Sequence, residues 1–241
     1  MLKKLVLTLG CAALMVSSWA VAQDAEAGPN TGEKAEAESA QASGVELLAM
    51  ADSLAALGRE NESASLLIAA AELVAQVGPG TEGDREKESE GDASAADASD
   101  KPEGEPAEMT VASLLAEARE LAGGDESLEA VIDRVAEASQ GAMGASNGPI
   151  YHWDVVQARS TDVFNPIHFD GGRRATVSIT GDGDTDLDLY IYDTNTGGLI
   201  ASGTGISDRE TVSWTPRYTG PFTIRVVNLG GVWNRYLLRS N

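Results

Sequence analysis

The spacing of apolar residues changes along the chain from a helical period to a strand period. Between residues 44 and 141 apolar side chains recur every three or four positions, as in the stripe of Leu66, Ala70 and Leu73. After residue 150 they alternate with polar residues, as Leu187 and Leu189 do around Asp188. The pattern predicts an α+β chain of several parts: two αα-hairpins, then an antiparallel β-sandwich or jelly roll of about eight strands.

Two acidic tracts interrupt this pattern. Residues 24–43 and 80–108 contain no Leu, Ile, Val or aromatic residue, so they bury too little apolar surface to offset the entropy of ordering. The predicted organisation is a signal peptide (1–22), a disordered acidic linker (23–43), a helical hairpin (44–78), a second disordered acidic linker (79–108), a second helical hairpin (109–141), a Gly/Ser/Asn-rich hinge (142–149) and a β-sandwich (150–241). The hairpins are expected to pack on each other or on the sandwich; the alternative is a small partner-binding module.

The first 22 residues have the organisation of a secretory signal peptide. Lys3 and Lys4 precede a mostly apolar stretch, and Ala20-Val21-Ala22 is a cleavage site of the A-x-A type. The alternative is lipidation at Cys11, although the apolar stretch before it is short. We therefore predict an exported protein, periplasmic or extracellular, whose mature chain has no membrane span.

Charge and composition exclude several classes of function. The net charge is -21, with 38 acidic and 17 basic residues, which disfavours binding to nucleic acid or to anionic lipid. One Cys and two His leave no disulfide framework and no Cys/His zinc cluster. All aromatic residues after the signal peptide lie beyond residue 150, so the C-terminal part is the one equipped for a dense core.

Two ordered motifs in the C-terminal part resemble the bacterial pre-peptidase C-terminal domain family. The first is the Asp-x-Asp-Leu-Tyr run of residues 186–190, followed by a Tyr-Asp turn; the second is the Gly-x-Phe-Thr-Ile-Arg-Val strand of residues 220–226. The resemblance covers about residues 151–241 and implies a secreted, non-catalytic β-sandwich of a kind commonly appended to exported peptidases. Nothing upstream of it in this chain resembles a peptidase.

The most site-like feature of the sequence is a run of alternate aspartates. Asp182, Asp184 and Asp186 lie in a Gly-containing loop, where carboxylate oxygens are suited to calcium. The alternative is that these residues close turns and cap loop amides without a metal. Both interpretations stay open, and no other cofactor is expected.

Aromatic side chains supply the second candidate site. Tyr190 and Tyr192 share one strand face, opposite the aliphatic one, and together with Trp214 and Trp233 they are candidate ligand-binding residues. The expected ligand is an unknown extracytoplasmic protein or polymer. We expect no enzymatic activity: His152 and His168 lie in strand-like runs without a recognisable nucleophile motif. The alternative is a secreted hydrolase, or a peptidase-associated protein, with a site on the sandwich loops.

Overall fold

A computed structural model of the chain describes residues 28–32, 43–78, 80–91, 109–141 and 149–241. The helices are α1 (Gly44–Glu60), α2 (Ala64–Val77), α3 (Val111–Ala122) and α4 (Glu126–Gly141). The strands are β1 (Thr81–Glu82), β2 (Glu88–Glu90), β3 (Ile150–Val156), β4 (Thr161–Phe169), β5 (Ala175–Gly181), β6 (Leu187–Asp193), β7 (Leu199–Gly203), β8 (Arg209–Trp214), β9 (Gly220–Asn228) and β10 (Asn234–Ser240). The predicted signal peptide, most of both linkers and residues 142–148 of the hinge lie outside the described residues.

The four helices form the two predicted hairpins, which pack into one shared core. Leu67, Leu114 and Ile132 are fully buried in it and come from three different helices. Ser43 and Glu46 form a capping box at the start of α1. Helix α1 continues through Gly58 to Glu60, and the lack of a side chain at Gly58 leaves room for Leu67 of α2: a Cβ at Gly58 would lie 2.9 Å from Leu67 Cδ2.

The C-terminal residues form the predicted β-sandwich. The first sheet has the order β1-β3-β10-β5-β8 and the second the order β2-β4-β9-β6-β7. All pairings are antiparallel except β1 with β3. Alternate residues point inward, so that Leu189, Ile224 and Ile179 meet with Tyr236 and Phe164 in one core between the sheets. None of the helices in the described part of the chain is long and apolar enough to cross a membrane.

Residues 80–91 differ from the prediction of a disordered linker. Thr81–Glu82 pairs with the edge of the first sheet at β3, and Glu88–Glu90 pairs with the edge of the second sheet at β4. This segment, which we call the strap (80–91), therefore crosses from one sheet to the other. Composition missed it because main-chain pairing and charged side chains, rather than apolar burial, hold it in place.

Helix α1 also packs on the sandwich, against the outer face of the first sheet. Asp52 of α1 is buried there and forms an ion pair with Arg239 of β10, whose Nη2 lies 3.1 Å from Asp52 Oδ1. The Thr180 hydroxyl donates to the same carboxylate at 2.7 Å. Glu46 adds an ion pair with Arg174. The helical part is thus joined to the sandwich through polar contacts.

Candidate functional site

The outer face of the second sheet presents the tyrosine pair that the sequence predicted. Leu187, Leu189 and Ile191 of β6 point into the core and are fully buried. Tyr190 and Tyr192 point the other way and are partly exposed. Their ring centroids are 6.4 Å apart and the ring planes lie within 25° of parallel. Strand alternation therefore places two aligned rings side by side on an outward surface.

Neighbouring strands add polar and apolar groups to this surface, which we call the tyrosine face (Tyr190, Tyr192, Leu199 and Arg225). Arg225 of β9 lies opposite Tyr190 and forms an ion pair with Glu90 of the strap. Leu199 of β7 lies opposite Tyr192 and is half exposed. Aromatic, aliphatic and cationic groups thus adjoin one another on the face.

Asp188 fixes the position of the first ring. The Tyr190 hydroxyl donates to Asp188 Oδ2 at 3.0 Å. This hydrogen bond, then burial and the nearby carboxylate charge, raise the pKa of Tyr190 above its ordinary value. The hydroxyl is therefore neutral at physiological pH, and its oxygen is available to accept a hydrogen bond from a ligand.

The other two predicted ligand-binding aromatics lie elsewhere. Trp214 is buried in the core, where its ring centroid lies 4.9 Å from that of Phe169 and 5.2 Å from that of Phe222. Trp233 lies within the loop between β9 and β10 and is partly buried. The structure thus brings Tyr190 and Tyr192 together on one face and places Trp214 in the core between the sheets.

The aspartate run forms turn contacts. Asp182 Oδ2 accepts a hydrogen bond from the main-chain N–H of Arg235 at 3.0 Å. Asp186 uses its main-chain carbonyl to accept from Leu229 N–H at 3.0 Å, and its side-chain Oδ1 is buried without a hydrogen-bond partner. Asp184 is exposed and makes at least one polar interaction. The described residues contain no group of three or more His, Cys, Asp or Glu that could hold a metal ion. The calcium prediction for Asp182, Asp184 and Asp186 therefore finds no support in this geometry.

A buried polar network, which the sequence analysis missed, ties the strap to both sheets. Lys87 Nζ lies 2.6 Å from Asp154 Oδ1 and 2.7 Å from Asp162 Oδ2. Asp162 is fully buried and also accepts from Ser89 at 2.7 Å and from the Tyr236 hydroxyl at 2.9 Å. Burial, then the charges of Asp162 and Asp154, raise the pKa of Tyr236 well above its ordinary value. The one signal in the sequence was an acid, Asp162, at a core-facing position of a strand.

The two histidines have different surroundings. His152 Nδ1 lies 3.0 Å from the Gly83 carbonyl and Nε2 lies 3.2 Å from Asp154 Oδ2, so both ring nitrogens are engaged. Its ring also makes an edge contact with Phe164.

His168 is exposed and lines two adjoining open clefts of about 370 and 480 Å³. The nearby Asp170 is paired with Arg173 at 3.3 Å. The His–acid pair of the sandwich thus belongs to the strap network rather than to a cleft.

No family model matches the chain, and no curated protein matches it in sequence. Solved structures to which it is similar include the pre-peptidase C-terminal domain of a Bacillus anthracis collagenase, with 14% identity over 39% of this chain and 89% of that one and a TM-score of 0.27. They also include the C-terminal CBM6 of LamC, a laminarinase of Zobellia galactanivorans, with 13% identity, 35% and 74% coverage and a TM-score of 0.26. A carbohydrate-binding module of Cellvibrio mixtus lichenase 5A, solved with cellotriose, has 12% identity, 36% and 72% coverage and a TM-score of 0.25.

Proposed function

We propose that this chain is an exported, non-catalytic binding or accessory protein that holds a polysaccharide on the tyrosine face of its sandwich. The observation that carries the proposal is the pair of near-parallel, partly exposed rings of Tyr190 and Tyr192 on the outer face of the second sheet. The outer face of the first sheet is occupied by helix α1, which leaves the tyrosine face as the better platform for an external ligand.

The chemistry of the tyrosine face suits sugar rings. Aromatic rings offer flat apolar surface to the C–H faces of a pyranose, while the tyrosine hydroxyls supply hydrogen bonds. Arg225 adds a donor fork for hydroxyl groups beside Tyr190. Two rings 6.4 Å apart can contact neighbouring units of one polymer chain, which is why a polymer rather than a single sugar is proposed.

Binding to a panel of insoluble and soluble polysaccharides tests the proposal. The double variant Tyr190→Ala/Tyr192→Ala is expected to lose about tenfold or more in affinity, because each ring contributes on the order of 1 kcal/mol of stacking. Trp153→Ala is the matched control, since Trp153 is a partly exposed aromatic on the first sheet. Retention of full affinity by the double variant, or capture of none of the polysaccharides by the unmodified protein, would contradict the proposal.

Export belongs to the same proposal and has its own test. The basic residues Lys3 and Lys4 and the A-x-A site ending at Ala22 support cleavage before Gln23. N-terminal sequencing of the protein recovered from the cell envelope and from the medium is expected to begin at Gln23. A lipid-modified Cys11 at the N-terminus, or an intact Met1, would contradict this.

A further inference from the structure

Residues 28–32 dock on the end of the sandwich where the β6–β7 and β8–β9 loops meet. Asn30 is only 1% exposed, although its partners are distant in sequence. Its Oδ1 accepts hydrogen bonds from the main-chain N–H groups of Arg217 and Tyr218, at 3.0 and 3.1 Å. Its Nδ2 donates to the main-chain carbonyl of Tyr218 at 2.8 Å. The main chain of the β8–β9 loop thus contacts both sides of one side-chain amide.

The residues around Asn30 extend this contact along the segment. The Asn30 N–H donates to Asp193 Oδ2 at 3.2 Å, and the Gly32 N–H donates to the Thr215 carbonyl at 2.8 Å. Pro29 lies against Gly198, where a Cβ would come within 2.6 Å of the proline Cγ. The β6–β7 and β8–β9 loops thus form a pocket that contacts both the main chain and the side chains of residues 28–32.

The pocket wall is fixed by contacts of its own. Asp193 is fully buried, and its carboxylate also accepts from the main-chain N–H of Asn195 at 3.0 Å and from the Thr196 hydroxyl at 2.8 Å. Both bonds come from within the β6–β7 loop and orient the carboxylate without help from residues 28–32. A site built in advance in this way lowers the ordering cost of binding.

The hydrogen-bond pattern discriminates among side chains. An asparagine amide presents an acceptor and a donor in one plane, and here both are used. Aspartate at the same place would set a carboxylate oxygen against the Tyr218 carbonyl and leave that acceptor without a donor. Sites built to hydrogen-bond a specific group reject analogues that lack it, because buried polar groups are then unpaired.

We infer that the loop end of the sandwich is a peptide-binding site that reads an asparagine side chain, and that residues 28–32 of this chain fill it in cis. The ligand class is a short peptide with a proline before the asparagine and a glycine two positions after it. At the start of helix α1, the Ser43 hydroxyl donates to the Thr176 hydroxyl at 3.2 Å. The site is separate from the tyrosine face and does not depend on polysaccharide binding.

Amide exchange in the full chain tests occupancy of the site. The Arg217 and Tyr218 N–H groups have Asn30 Oδ1 as their acceptor. In Asn30→Ala and Asn30→Asp their exchange is expected to accelerate about tenfold or more, while core amides such as Ile224 keep their rates. Thr31→Ala is the matched control, since the Thr31 hydroxyl donates to the Pro29 carbonyl of the same segment, at 3.5 Å. Unchanged exchange of both amides in Asn30→Ala would overturn the inference.

A pocket-side variant gives an independent result. Gly198→Ala leaves residues 28–32 intact but places a methyl group against Pro29. It is expected to accelerate exchange of the same two amides, and the core amides report that the fold is retained. Protection of Arg217 and Tyr218 equal to that of the unmodified protein would count against the site.

A peptide of residues 26–34 tests binding in trans. Added at millimolar concentration, the range that a flexible tether supplies, it is expected to restore slow exchange of Arg217 and Tyr218 in the Asn30→Ala protein. The unmodified protein, whose site is occupied, is expected not to respond. The same peptide with Asn30→Asp should bind about tenfold or more weakly. Failure of the peptide to slow exchange, or equal action of both peptides, would overturn the inference.

Discussion

Glu210 shows, at the scale of single residues, how the acidic composition of the chain acts within the sandwich. Burial, then the charges of Asp188 and Asp186, raise the pKa of the Glu210 carboxyl above its ordinary value of 4.5, although a hydrogen bond from the Gly205 N–H works against them. The folded protein therefore holds the Glu210 proton to a higher pH than the unfolded chain does. Ionised Glu210 destabilises the fold at neutral pH.

We expect Glu210→Gln to raise the melting temperature at pH 7, by a few degrees at most because Glu210 is only partly buried and solvent screens its charge. The free energy of unfolding falls as pH rises between 4.5 and the raised pKa of Glu210, and it stays lower above that range. The advantage of the variant should therefore disappear below about pH 4.5. Melts from pH 4 to 8 measure this, with Glu120→Gln, an exposed helical position, as the control. A lower melting temperature for Glu210→Gln at pH 7 would contradict the electrostatic explanation.

Alternation along each strand determined how far individual residues could be predicted. It placed Tyr190 and Tyr192 outward correctly, because Leu187, Leu189 and Ile191 marked the core side. The same rule places Trp214 inward, since it shares a strand face with Val212, and the structure buries both. Asn30 could not be found in this way, because its contacts are main-chain hydrogen bonds to residues more than 160 positions away.

At the scale of elements, helix α1 joins the helical core to the sandwich through polar contacts with the first sheet. The Asp52–Arg239 pair is buried, with side chains 4% and 5% exposed. Each of the two buried charges is neutralised by the other. The helical spacing of apolar residues predicted a hairpin over residues 44–78. It could not indicate which sheet face the helix would cover, because the partner of Asp52 lies 187 residues away.

Removing one partner of this pair is expected to be costly. Asp52→Ala should lower the free energy of unfolding by about 3–5 kcal/mol, because the Arg239 charge is left buried and unpaired. Ser53→Ala, at an exposed neighbour that bonds only within the helix, is the control. The double variant Asp52→Leu/Arg239→Met should recover most of the loss, since it removes both charges. Denaturant unfolding of the unmodified protein and the three variants measures the free energy of unfolding. A double variant as unstable as Asp52→Ala would contradict this account.

The polar network around Lys87 leads to a related prediction, which proteolysis within the strap can measure. Lys87→Met leaves the Asp154 and Asp162 carboxylates facing each other without a cation, and should cost about 3 kcal/mol or more. Release of the strap should speed tryptic cleavage after Arg85, which is partly buried and bonded to Ser240 at 2.5 Å. Glu86→Gln, at the exposed adjacent position, should change neither the free energy of unfolding nor the rate of cleavage after Arg85. Cleavage after Arg85 at the rate of the unmodified protein in Lys87→Met would show that the network does not hold the strap.

At the scale of the whole molecule, the N-terminal half completes the sandwich rather than merely preceding it. It supplies the edge strand β1 to the first sheet, the edge strand β2 to the second and helix α1 to an outer face. The sequence predicted a sandwich built from residues 150–241 alone, because all the strand patterns and, after the signal peptide, all the aromatics lie there. The structure confirms the sandwich but shows that segments without apolar residues also belong to it. Their contribution lies in pairing and charge, which hydrophobic patterns do not record.

Isolated residues 149–241 should therefore be less stable than the same residues within the full chain. Without the strap, Asp162 and Asp154 lose Lys87, and the edges at β3 and β4 lose their neighbours β1 and β2. A peptide of residues 80–91 added in trans should bind the fragment and raise its melting temperature. At a hundredfold excess over its dissociation constant, the peptide should add about 2.7 kcal/mol to the free energy of unfolding. The same peptide with Lys87→Met should stabilise it much less. Thermal melts of the fragment with each peptide measure this, and equal stabilisation by both peptides would show that main-chain pairing alone, without the buried charge network, closes the edges of the sandwich.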